Sequence, residues 1–303
     1  MNMLEYKFLL SEREALEKLL LTIPLKNKID RVGLEDRKKE IDEIISSQPN
    51  LIDNNPIARL TFKGKPVVES YGIYADFSAK AIKAFSESVA IIAANQNNAI
   101  GTRGIIPGRD KYHLIIKDIA LGSFGFEFEA APIDDCLIQD FSSIENAIDK
   151  IQAIFRASIG SDDELTEAIY DIDARAIESV TSFLKVLSEQ DAVCSLSFKE
   201  NVFKYENIEQ IIRSEKRLST DNICQEEVSF KGEFQGYLPS RKTFEFQLTK
   251  NKEIIFGKVS SDFEEANEIN NNLNVLVEVD LISHRVGEGK PRYTLIKFKK
   301  TKK

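Results

Sequence analysis

EEVSFKGEFQGYL (226–238), KTFEFQLT (242–249), EIIFGKV (253–259), LNVLVEVDLISH (273–284) and PRYTLIKF (291–298) are five runs of β-branched and aromatic residues, each bounded by turn residues. In the second run Phe244, Phe246 and Leu248 share one face, while Thr243, Glu245 and Gln247 share the other. In the fourth, Val275, Val277, Val279 and Leu281 oppose Glu278 and Asp280. Such period-two runs predict strands that send alternate side chains into one core. Gly232 and Gly236 interrupt the first run where a backbone without a Cβ can bulge or coil. Pro239-Ser240, Asn251-Lys252 and Gly287-Glu288-Gly289 supply turns. Residues 260–272 break the strand pattern with acidic, helix-like sequence, in which Ser261 is the expected N-cap and Glu264 its partner three residues on.

Three strands, a helix and two strands, opening on a long glycine-bent strand, resemble the order of the OB fold, a small Greek-key barrel. An SH3-like or other small closed barrel gives nearly the same pattern. The resemblance implies a surface used by oligonucleotides or oligosaccharides in that fold, and it rests on topology, because no signature residues accompany it. Residues 121–129 and 232–259 also resemble stretches of bacterial proteins without an assigned activity.

Working outward, the chain reads as α+β in three parts: a mixed α/β region (1–132), a helical hairpin with a β-hairpin (133–220) and the small barrel with its basic tail (221–303). At 303 residues it is long enough for two or three domains and a substantial core. Hydrophobic residues at 42% and charged residues at 30% match an ordinary globular protein and exclude wholesale disorder. Apolar runs such as 89–94 are too short to span a bilayer, and no basic-then-apolar leader opens the chain, so a cytoplasmic location without membrane contact is expected.

The first ten residues alternate Tyr6, Phe8 and Leu10 as a strand or packed arm would. Ser11 with Glu14 opens a helix over 12–22, and a charged helix with weak packing follows over 34–47. Residues 57–62 and 66–69 read as two strands across Lys63-Gly64-Lys65. Over 76–94, Phe77, Ala81, Phe85, Val89 and Ile92 form a core-facing helical stripe. A hairpin is expected over 113–131, turning at Gly122-Ser123. Ser142 with Glu145 begins a helix ended by Gly160. Residues 162–190 then read as one long helix, expected to pack antiparallel against it. Residues 192–205 form a second hairpin, 207–218 a charged helix, and 219–222 a linker.

The candidates for chemistry are few. Cys136, Cys194 and Cys224 lack CxxC or Cys/His spacing, so neither a disulfide framework nor a zinc site is expected. No cofactor fingerprint appears, and neither a metal nor a cofactor is expected. His113 and His284 fall on separate strands and read as structural. Gly101, Gly104 and Gly108 with Arg103 and Arg109 could offer amides and guanidinium groups to an anion, but this loop follows a helix and precedes a strand, the reverse of the known phosphate loops. Asp163, Glu167 and Asp171 lie four residues apart on one helical face, read as solvated, with a divalent ion or a basic partner as the sharper alternatives. Asp134, Asp135 and Asp140 are a second acidic group.

The net charge of −8 argues against bulk coating of nucleic acid. From Asp221 onward, however, 14 Lys+Arg meet 13 Asp+Glu, against 27 and 36 before it, so the barrel end is the less anionic part. Arg241, Lys242, Lys250, Lys252, Lys299 and Lys300 are its candidate nucleic-acid contacts. Single-strand binders also need exposed aromatics, and Phe244 and Phe246 point to the expected core instead. The expected function is therefore a non-enzymatic binding or assembly protein that contacts a protein partner or another copy of itself. The alternatives are a nucleic-acid accessory factor using the barrel edge and tail, or a hydrolase whose site the sequence does not display.

Overall fold

The computed structural model describes residues 3–24, 26–47, 56–97, 104–120, 124–131, 138–260, 263 and 268–300. Both helices and sheets are present, and the fold is α+β. At the N-terminus α1 (Met3–Thr22) and α2 (Lys28–Ser46) pack against each other, burying Leu16 and Ile41. Arg37 grips Glu12 with two hydrogen bonds of 2.8 and 2.9 Å, and Arg31 caps the end of α1 through the carbonyls of Leu20 and Ile23. The strand or arm expected over the first ten residues is thus the beginning of a helix. Leu9, Leu16 and Leu20 recur through it at helical spacing, and Ser11 sits inside it rather than capping it.

β1 (Ala58–Gly64) lies at the centre of a five-stranded antiparallel sheet. On one side it pairs with β5 (Gly125–Ala130), which pairs with β4 (Leu114–Ala120). On the other it pairs with β6 (Ala192–Phe198), which pairs with β7 (Asn201–Lys204). Both expected hairpins are present, but they flank β1 in one sheet. The boundary expected at 132 therefore runs through a single sheet and a single core, because the partners of β1 lie on both sides of it. The expected pairing of 57–62 with 66–69 does not form: β2 (Val67–Val68) pairs with β3 (Gly72–Ile73) as a separate ribbon. Gly64, at φ +114°, turns the chain where a Cβ would meet the Asp191 carbonyl.

One face of the sheet carries Ala58, Leu60, Phe62, Cys194, Leu196 and Phe198, all buried. It packs against α3 (Ala75–Asn97), α4 (Ile138–Ile159) and α6 (Ala174–Glu189). All five residues of the expected α3 stripe are buried. The antiparallel pair expected between α4 and the helix after it is not the main packing. α3 packs against both α4 and α6, and α4 reaches α6 through Phe155 and Phe183, stacked at 5.8 Å. The single helix expected over 162–190 is two: α5 (Asp162–Ile169) and α6. Asp173 breaks it by accepting a hydrogen bond from the Arg175 amide, an N-cap that competes with continued helix. α7 (Ile208–Arg217), capped by Asn207, leads on to the C-terminal strands.

β8 (Ile223–Leu238), β9 (Thr243–Leu248), β10 (Ile254–Val259), β11 (Leu276–Val286) and β12 (Arg292–Lys300) pair around a closed ring in the order β10-β12-β11-β8-β9. β10 and β12 run parallel, and the other pairs are antiparallel. The short α8 (Glu268–Asn271) lies between β10 and β11; the expected cap Ser261 and Glu264 lie outside the described residues. Phe234, Phe244, Phe246, Val277, Val279, Leu281 and Leu295 fill the ring. Each phenylalanine buried this way contributes about 1.5–3 kcal/mol. Gly232 has no side chain because the Phe246 ring and the Gln247 carbonyl fill that space, while Gly236 sits at a register shift that bends β8. Val275 departs from its expected face: it precedes β11 and is exposed.

Candidate functional site

The acidic row along α5 and the turn that follows it is where the two cores meet. Asp162 accepts from the Arg217 guanidinium at 2.7 and 3.2 Å and from the Glu288 amide, and Asp163 accepts from the Lys290 amide at 2.6 Å. Thr166 accepts from the Val286 amide. Glu167 binds Arg292 at 2.5 Å, and Asp171 pairs with Lys258. The row expected to be solvated is thus bound to the ring. Its four-residue repeat presents one carboxylate per turn to the amides and cations of the β11–β12 turn, of β12 and of β10. Arg217 is buried and also donates to the carbonyls of Ser158 and Gly160, so it locks α4, α5 and α7 together. Its hydrogen bonds hold the Asp162 carboxyl below its ordinary range.

Tyr170 follows directly. Its hydroxyl donates to the Tyr293 carbonyl and accepts from the Lys258 amide (3.1 Å) and the Thr294 hydroxyl (3.2 Å). It is therefore seated in the seam between β10 and β12. Burial raises its pKa, so the phenol stays protonated and able to donate. One side of the ring packs edge-on to His284, whose pKa burial lowers, and the Lys258 ammonium lies over Tyr170 at 5.3 Å.

Tyr170 divides two hollows. On one side a cavity of about 600 Å³ lies between α6 and the ring, lined by Ile177, Leu218, Ile223 and His284 among others. On the other a groove of about 590 Å³ crosses the outside of β8, β9 and β10, from Leu238 and Thr243 past Glu245 and Phe256 to Arg292 and Glu167. In register, Glu245 faces Phe256 across β9 and β10. Phe256 is 58% exposed and Leu238 57%, and Ile254 lies two residues before Phe256 on β10 at 43%. Both cations on the wall, Lys258 and Arg292, are already paired with carboxylates.

The expected contacts separate. Arg241 and Lys242 lie in the turn between β8 and β9, beside Leu238 and Thr243 at the rim of this groove. Lys250 and Lys252 lie at the opposite end of β9. Register across Leu248, Gly232, Val277 and Lys300 brings Lys299 and Lys300 to that far end, three strand spacings or about 14 Å around the ring. Arg109 pairs with Glu87, and the Gly104 carbonyl accepts from Arg175; Arg103 lies outside the described residues. Asp134, Asp135 and Cys136 also lie outside them. Among the described residues no group of three or more His, Cys, Asp or Glu is placed to hold a metal ion, and no helix is long and apolar enough to cross a membrane. His113 and His284 lie in different sheets' surroundings, one before β4 and one on β11.

Sequence reasoning missed Phe256. Ile255 enters the core, so the alternation that places it there turns Phe256 outward; the signal was present in the run 253–259. It also missed Tyr170, which no local pattern separates from an ordinary helical tyrosine.

Comparison with protein-family models, with curated proteins and with solved structures gives no match to this chain.

Proposed function

We propose that the C-terminal ring is an OB-type barrel and that the protein is a non-enzymatic binding module, whose groove takes a segment of a protein partner. The order β10-β12-β11-β8-β9, with β10 and β12 parallel and a helix before β11, is the reason for reading the ring this way. The observation that carries the binding reading is Phe256, an exposed aromatic that lines the same groove as Leu238, where both wall cations are paired within the chain. Exposed aromatic and aliphatic anchors set in a concave surface without free cations on its wall suit an apolar side chain of a polypeptide.

A second reading has single-stranded nucleic acid on the same face, stacked on Phe256 with Arg241 and Lys242 on the phosphates. Pairing of Lys258 and Arg292 with Asp171 and Glu167 weighs against it, since it leaves the wall without free positive charge.

The test is purification of the full-length protein from native cells, with mass spectrometry of the protein fraction and sequencing of the nucleic-acid fraction, for wild type and for Phe256→Asp. A protein retained by wild type and lost from F256D supports the proposal. Nucleic acid retained by wild type, lost from F256D and released by salt moves the function to the second reading.

A further inference from the structure

The ring is closed, yet half of one strand has an open side. β8 pairs with β11 from Ile223 to Glu233, but with β9 only from Gly232 to Leu238. The Thr249 amide donates to the Lys231 carbonyl at 2.9 Å, which shows that the odd-numbered residues of this half turn their main-chain groups away from β11. The N–H and C=O of Gln225, Glu227 and Ser229 therefore point to the open side, and none has a main-chain or side-chain partner among the described residues. An unpaired row of alternating donors and acceptors is a template for another strand.

Two further observations define what fits. The cavity of about 600 Å³ is lined by Ile223 and Gln225 of this edge and, at Ile177, Leu218 and Ile223, has an apolar floor for a side chain of an incoming strand. Glu226 and Glu227 are exposed and form no ion pair among the described residues. If two copies paired through this edge about a two-fold centred at either residue, that glutamate would meet its own copy, and like charges across a sheet are destabilising. The same carboxylates attract a basic segment.

We propose that the first half of β8 is a docking edge for an extended, basic polypeptide segment, which joins the sheet as an added strand and sets an apolar side chain into the cavity beside Ile223. This edge is separate from the groove at Phe256.

The probe is an acetylated, amidated Lys-Val-Lys-Val-Lys-Val peptide added to the full chain and followed by hydrogen exchange resolved to single residues. Saturating peptide is expected to slow the amides of Gln225, Glu227 and Ser229 by about tenfold or more, with Val228 and Phe230 little changed. Glu227→Pro removes one edge donor but none directed at β11, so the ring should stay folded and the protection should vanish. A peptide N-methylated at every residue should fail to protect wild type, which keeps the test valid should E227P not fold. Phe256→Ala should leave the protection intact. Unchanged exchange at all three residues, equal protection by the methylated peptide, or loss of protection in F256A would overturn the proposal.

Discussion

The hydroxyl of Tyr170 donates to the main-chain carbonyl of Tyr293, 123 residues further along the chain. The same oxygen accepts from the Lys258 amide, so one phenol bridges the two parallel strands where Lys258 stands opposite Thr294. This fixes the ring against α5 and puts the Phe256 groove on one side of Tyr170 and the cavity at Ile223 on the other.

Tyr170→Phe keeps the ring packing on His284 and removes only the oxygen. Leaving the Tyr293 carbonyl and the Lys258 amide without their partner should cost about 1–3 kcal/mol in urea unfolding. Exchange of the Lys258 amide should accelerate while the β8–β11 amides remain protected.

Arg217→Met removes the guanidinium that serves Asp162, Ser158 and Gly160. The expected loss is about 2–4 kcal/mol, because buried carbonyls lose their donor. Asp162 has a folded-state pKa below its ordinary value of 3.8. Its contribution is therefore complete above the unfolded-state pKa and is lost as the pH falls through the folded one. Wild-type stability should decline below about pH 4–5, and the decline should be shallower in R217M.

Gly232→Ala and Gly236→Ala separate the two glycines of β8. A Cβ at Gly232 would lie 2.1 Å from the Gln247 carbonyl and 2.7 Å from the Phe246 ring, whereas at Gly236 it meets nothing within 4 Å. G232A should lose about 1–3 kcal/mol or more through overpacking, and G236A should stay within about 1 kcal/mol of wild type. Thermal melts of the two variants give the contrast.

Cys194 is buried, and desolvation pushes its thiol pKa far up, while Cys224 is half-buried. Timed alkylation with iodoacetamide and peptide mass spectrometry should show Cys224 modified in the native protein. Cys194 should react only after denaturant is added.

The ring was legible because alternation in 242–249 and 273–284 and the turn residues between them are local signals. Phe244, Phe246, Val277 and Val279 went where the pattern put them. What was not legible was long-range. The pairing of β1 with β6 joins residues more than a hundred positions apart, and a β strand carries no mark of its neighbour. The break at Asp173 was hidden because the apolar spacing continues across it. The row Asp163, Glu167 and Asp171 was legible as a row, but its partners, the Lys290 amide, Arg292 and Lys258, come from the folded ring. Of the groove, Arg241 and Lys242 lie at its rim, and Phe256 could have been found by carrying the period of two through 253–259.

The most direct measurement is a photocrosslink from the groove itself, with p-benzoylphenylalanine in place of Phe256 in the full-length protein expressed in native cells. Irradiation should yield a discrete protein adduct whose crosslinked peptide carries an apolar residue at the point of attachment, unchanged by nuclease treatment. A crosslink to nucleic acid, or none above that from the same probe at solvent-exposed Val202, would contradict a groove built for a protein partner.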